Sequence, residues 1–281
     1  MRNLDEASIT QAVLARNSGA TDARVCEVMT SLVQHLHAFA RDIKLTEKEW
    51  QRGMEFLAQA GNISSPDRQE FVLLSHTLGL STLVLAQNDR KPAGCTEATA
   101  FDVPQAPEAR IHDLGADINE GHGRPRCHVR GVICDVKGNP LPGATLQVSL
   151  AGSCARGGDQ ALIQAGQAGD YHFWTVVPDC QPIPDDGPVG QMLMSLNRHA
   201  WRPAHLQFDI SAQGYQRLNT QVFREGDPYL DSDAAFGVRP SLIAQWIRQD
   251  PGFAPDGTLV SEPFYTLAFD FVLTAVRGAD E

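Results

Sequence analysis

The spacing of the apolar residues changes once along this chain, and the change divides it into two kinds of structure. From residue 8 to about 90 the apolar positions recur at helical intervals. Val25, Met29, Leu32, Leu36 and Phe39 fall on one stripe, followed by Met54, Phe56 and Leu57 and then by Phe71, Leu74 and Leu78. Start signals punctuate the stretch. Ser8 with Gln11 and Thr46 with Glu49 have capping-box spacing, and Ser65-Pro66 reads as an N-cap followed by proline at the first helical position. Three or more helices with buried faces are expected. After KPAGCTEA (91–98) glycine and proline become frequent, and short β-rich runs follow: CHVRGVICDV, ATLQVSL, DYHFWTV, AHLQFDI and TQVFRE. GNPLPG (138–143) reads as a turn between the first two, and FYTLAFDFVLTAV (264–276) as one closing strand. The expected fold is mainly β: a β-sandwich domain over 99–281 behind an α-helical domain over 1–98.

Composition narrows the function. With 42% apolar and 20% charged residues in 281, the chain has material for a sizeable core. Its formal net charge is −11 and no basic stripe appears, so nucleic acid and anionic membranes are excluded as partners. The apolar run VLLSHTLGLSTLVLA (72–86) is too short to span a bilayer and reads as a buried helix. MRNLDEASIT carries charges where a signal peptide needs an apolar segment, and the six cysteines form no C-x-x-C pair. Reduced thiols in a cytoplasmic protein are expected.

Several polar clusters read as structural. His35 and His37 point about 200° apart on a helix and cannot share an ion. His112, Asp113, Asp117, His122 and His128 lack a recognisable ligand spacing. Asp227, Asp231 and Asp233 lack the glycine and distal glutamate of a calcium loop.

The segment from 170 to 242 says more. DYHFWTVVPDCQPIPDDGPVGQ, then NRHAWRPAHLQFDISAQGYQRLNTQVFREGDPYLDSDAAFGVRPSL, resembles the intradiol ring-cleaving dioxygenases, nearest to the hydroxyquinol and catechol branch. SLVQHLHAFARDIKLTEKEW, RQEFVLL and KPAGCTEAT extend the resemblance over almost the whole chain. The resemblance implies an intradiol-dioxygenase-like β-sandwich, a homodimer formed through the N-terminal helices, and a lipid bound between them. It also implies cleavage of an aromatic diol by O2 at a ferric ion held by two tyrosines and two histidines.

Carried over residue by residue, the resemblance places one histidine ligand at His205. The second falls on Gln207, the tyrosine of the Y-P-I-P motif on Gln181, and the other tyrosine near Gly157 or Gly158. The four tyrosines, Tyr171, Tyr215, Tyr229 and Tyr265, match neither position. A complete four-ligand site is worth roughly 10–16 kcal/mol of apparent binding energy, with zinc sites as the guide, and one imidazole beside neutral amides keeps a small part of that. No metal cofactor is therefore expected. Arg202, Pro182, Ile183, Pro184 and Gln221 match substrate-facing residues, while the loop TAFDVPQAP (99–107) departs from the family pattern.

The expected function is metal-independent acid/base chemistry on a phenolic or quinone-like molecule, by isomerisation, cyclisation or addition/elimination. His205 would move the proton, Arg202 would stabilise a phenolate or enolate, and Gln181 and Gln207 would hydrogen-bond the ligand. Two other readings stand beside it. One is an intradiol dioxygenase with atypical ligation of Fe(III), a further ligand arriving from another loop. The other is a non-catalytic ligand-binding or partner subunit.

Overall fold

A computed structural model describes residues 3–66, 68–100, 110–119, 123–150 and 160–276. The chain forms two compact units, Met1–Asn62 and Ile63–Glu281.

In the first unit Asp22 starts the longest helix, its carboxylate accepting from the N–H groups of Arg24 (2.8 Å) and Val25 (3.1 Å). Helix α1 is Ile9–Asn17, α2 Ala23–Asp42 and α3 Glu47–Ile63. The capping box at Thr46 forms: Glu49 Oε2 accepts from Thr46 N at 2.9 Å and Thr46 Oγ1 from Glu49 N at 3.3 Å. The one at Ser8 does not, because Ser8 bonds to Asp5 instead. Val25, Met29, Leu32, Leu36 and Phe39 stay exposed, where burial was expected. His37 meets Thr10 Oγ1 at 2.9 Å and His35 meets the Ser31 carbonyl at 3.0 Å, so the two histidines diverge as helical geometry demands.

The second unit begins with α4 (Glu70–Thr77) and α5 (Leu80–Asn88). The run expected as one buried helix is broken at Gly79, whose φ of +73° no bulky residue adopts easily, and the two pieces bend by 77°. Leu78, Leu80 and Leu83 are exposed there. Among the described residues no single helix is long and apolar enough to cross a membrane. Ser65 bridges the backbone of Arg68 in a turn, so helix α4 starts later than Pro66.

The strands that follow are β1 (Arg110–His112), β2 (Arg126–Asp135), β3 (Thr145–Leu150), β4 (Gln160–Gln164), β5 (Asp170–Val176), β6 (Gln181–Pro182), β7 (Trp201–Arg202), β8 (His205–Ser211) and β9 (Leu218–Arg224). Helix α6 (Pro188–Ser195) lies between β6 and β7. Then come β10 (Ile243–Ala244), β11 (Ile247–Gln249), β12 (Gly252–Phe253), β13 (Leu259–Val260), β14 (Phe264–Ala268) and β15 (Phe271–Leu273). One sheet has the order β1-β4-β3-β8-β9-β10. The other has the order β11-β14-β2-β15, with β5 also on β2. The described residues thus form a two-sheet sandwich with helices in the N-terminal part, the mainly β architecture expected from sequence.

Strand alternation decides what each sheet presents. Leu206, Phe208 and Ile210 of β8 and Cys127, Val129 and Ile133 of β2 meet in the core between the sheets. The alternate residues, His205, Gln207 and Asp209 on one sheet and His128 and Arg130 on the other, therefore point away from the core on opposite outer faces. The expected single strand 264–276 is two, β14 and β15, both parallel to β2 and interrupted at Phe269-Asp270. Helix α6 escaped the sequence reading. Pro188 opens it, and the fully buried Glu70 carboxylate, distant in sequence, accepts from Val189 N at 3.0 Å.

Candidate functional site

On the outer face of the first sheet, antiparallel pairing of β8 with β9 sets Gln207 opposite Gln221, and pairing of β3 with β8 sets Ser149 opposite Gln207. Beside this polar row Arg202, paired in register with Gln181, is 6% exposed. Its guanidinium donates to Asp233 through Nε (2.9 Å) and Nη2 (3.0 Å), and Nη2 also donates to Gln221 Oε1 (2.9 Å). That fixes the Gln221 amide: its Nε2 faces His205 Nε2 at 3.3 Å. His205 Nδ1 lies 2.7 Å from the Pro203 carbonyl, which can only accept, so Nδ1 carries the proton and Nε2 accepts from Gln221.

Charge in this network is balanced internally. Burial alone would raise the Asp233 carboxyl, but Arg202 and the Ala235 and Gly237 N–H groups hold it below the usual range. Burial, with Arg202 beside it, pushes the His205 imidazole down to about 3 against the opposing pull of Pro203 and Asp233. The ring is neutral at neutral pH. The unfolded chain, with an ordinary histidine pKa of 6.5, binds a proton here that the folded chain refuses. This contribution to stability is complete above pH 6.5 and is lost as the pH falls toward 3. The loss should approach about 1.4 kcal/mol per pH unit from this residue. Urea midpoints measured at about pH 7 and about pH 5 should therefore differ less in His205→Gln than in the wild-type chain.

A second polar group occupies the opposite outer face. Pairing of β2 with β5 sets His128 across from Trp174 and Arg130 across from His172, which leaves the two histidines diagonal neighbours, ring centroids 5.7 Å apart. A hairpin of β12 and β13 folds over them and packs Ala254 and Val260 on Trp174. Its turn, Ala254-Pro255-Asp256-Gly257, brings Asp256 Oδ2 within 2.8 Å of Trp174 Nε1 and 3.6 Å of His128 Nε2. His128, His172 and Asp256 each offer one donor atom, all within 4.8 Å of one another. Burial holds the His128 imidazole down at about 4, against the pull of Asp256. Asp256 is held below its usual range although burial opposes this, through hydrogen bonds from Thr258 and Trp174.

The structure thus brings together Arg202, His205, Gln207 and Gln221, with Gln181 at their edge. Ile183 instead packs with Leu193 and Ala234, and Pro182 and Pro184 are exposed. The loose cluster read from sequence disperses. Asp117 pairs with Arg126 at 2.8 Å, and His128 joins partners that reading had not grouped with it. His122, Gly157 and Gly158 lie outside the described residues. His172 and Asp256 were missed. The strand run DYHFWTV and the turn signal A-P-D-G were both legible, but the register that joins them to His128 was not.

Comparison with known proteins gives the context. A model of the catechol dioxygenase N terminus matches residues 22–96, and one of the dioxygenase family matches 103–275. The chain is 45% identical to 6-chlorohydroxyquinol 1,2-dioxygenase of Cupriavidus pinatubonensis, across 97% of this chain and 99% of that one. It is 38% identical to hydroxyquinol 1,2-dioxygenase of Nocardioides simplex, across 95% of each. The solved structure of hydroxyquinol 1,2-dioxygenase from Pseudomonas putida DLL-E4 superposes with a TM-score of 0.89 at 38% identity, covering 96% of this chain and 99% of that one.

These findings correct two expectations. Metal-independent acid/base chemistry gives way, because near-full-length relatives bear dioxygenase names, and because His205 is neutral with Nε2 already engaged. The absence of any metal cofactor gives way as well. The donor count had covered only the positions around His205, whereas the fold assembles two imidazoles and a carboxylate elsewhere.

Proposed function

The chain belongs to the intradiol ring-cleaving dioxygenase family, and we propose from that premise that it cleaves a hydroxyquinol-type phenol with O2, using a metal held otherwise than by two tyrosines and two histidines. The observation that carries this reading is 45% identity over nearly the whole length to a 6-chlorohydroxyquinol 1,2-dioxygenase.

The described residues around His205 do not fit a ferric ion of the kind the family resemblance implies. They offer one imidazole, its Nδ1 taken by Pro203 and its Nε2 by Gln221, beside neutral amides. Past Leu150, which pairs with Leu206, the chain carries Cys154 and Asp159, both outside the described residues. In this reading Arg202 balances charge on a deprotonated phenol, Gln207 and Gln221 hydrogen-bond the ring hydroxyls, and Gln181 borders them.

We also propose a homodimer formed through 1–98, with a lipid between the helices, acting in the cytoplasm. The exposed stripe of α2 supports the dimer, the matched ranges 22–96 and 103–275 support the division at 98, and the free cysteines support the compartment.

The test is O2 uptake by the purified, iron-supplemented chain with 1,2,4-trihydroxybenzene and its 6-chloro derivative. Ring cleavage predicts one O2 consumed per ring opened, and loss of that uptake in His205→Ala. No O2 consumption with either phenol refutes it.

A further inference from the structure

We infer that His128, His172 and Asp256 bind a divalent first-row transition ion, at a site on the outer face of the second sheet and separate from the His205 network. His128 is 1% exposed, and neither of its ring nitrogens has a hydrogen-bond partner in the protein. His172 Nδ1 is likewise buried and unpartnered. Buried polar atoms without partners are costly and rare, and three on adjacent imidazoles that face one carboxylate are not accounted for by packing. Ligation to an ion accounts for one nitrogen on each ring, the His128 Nε2 that faces Asp256 being the nearer to that carboxylate.

The surroundings suit that assignment. Asp256 is aimed by its own turn, with Oδ1 accepting from Thr258 N at 2.9 Å and Gly257 at a φ of +85° closing the hairpin. Trp174 Nε1 donates to Oδ2, which orients the carboxylate and leaves that oxygen a second lone pair. Two imidazoles and one carboxylate favour zinc, iron, cobalt or nickel over calcium or magnesium, which take oxygen ligands. Bonds of about 2.0–2.2 Å would set the donors roughly 3.5 Å apart. The donor atoms now lie within 4.8 Å of one another, so binding draws them together by about 1 Å. A cavity of about 460 Å3 borders the group, with Asp170 and Asp270 against the single cation Arg130, so the local charge favours a cation and leaves room for exogenous ligands.

The site does not rest on ring cleavage, and its test does not read activity. The full chain, freed of metal by a chelator, is titrated with Co2+ and with Zn2+, and tryptophan fluorescence follows Co2+ because Trp174 contacts both His128 and Asp256. One saturable equivalent that quenches tryptophan emission is expected at this site, apart from any ion taken up by the catalytic pocket. His172→Gln, at a half-buried position, and Asp256→Asn should each weaken binding by about 100-fold or more, while His205→Ala leaves it unchanged. Absence of a saturable equivalent overturns the assignment. So does equal binding by the wild type and both variants, or loss of binding in His205→Ala. Circular dichroism of each variant establishes that a loss of binding is not a loss of fold.

Discussion

Replacing Asp233 with alanine is expected to cost about 3–5 kcal/mol of stability, read as a fall in the urea midpoint. The cost has two sources. Arg202 is buried and makes two of its hydrogen bonds to this carboxylate, so its charge would lose the carboxylate that balances it. Asp233 also accepts from Ala235 N (3.1 Å) and Gly237 N (2.8 Å), and both donors would lose their partner. A second variant separates the two. If the stranded charge dominates, Arg202→Met combined with Asp233→Ala should be more stable than Asp233→Ala alone, because an apolar pair replaces an uncompensated cation. If the double variant is no better, the backbone donors carry the loss.

Gly131→Ala is expected to be nearly as damaging, at about 3 kcal/mol or more, for a steric reason. A β-carbon at this position would lie 1.8 Å from the Phe269 carbonyl oxygen and 2.9 Å from the Tyr171 ring. Neither neighbour can retreat cheaply. Phe269 donates its N–H to the Arg130 carbonyl at 3.0 Å, and its own carbonyl accepts the Tyr171 hydroxyl at 2.6 Å. The added methyl group has to push apart the place where β14 gives way to β15. A thermal midpoint within a degree or two of the wild type would show that the strand break yields without cost.

That strand break shows what the sequence could and could not convey. The alternation in FYTLAFDFVLTAV identified a strand, but its interruption at Phe269-Asp270 lies against Gly131, more than a hundred residues earlier, a contact visible only once the strands are paired. The capping box at Thr46 was legible because both partners lie within one turn. The Glu70 cap on α6 was not, because its donor and acceptor come from distant segments. At the candidate site, AHLQFDI was legible as a strand, and residues two apart on a strand share a face, as His205 and Gln207 do. Sequence could not reveal that Gln221 occupies the His205 Nε2, nor that burial removes the ring from proton exchange near neutral pH. His128 had been grouped with its neighbours along the chain, and the sheet paired it across strands instead.

The pairing of β14 and β15 with β2 also bears on how the chain is made. The first sheet is drawn from residues 110–244, whereas the second waits for residues 264–273 to cover one edge of a strand that begins at 126. During synthesis β2 and β5 therefore leave the ribosome as a ribbon with an open side, and the apolar residues of β2 lack their final neighbours until residues 264–273 have been made. A nascent chain stalled before residue 264 would leave that side of β2 open to pairing with other stalled chains.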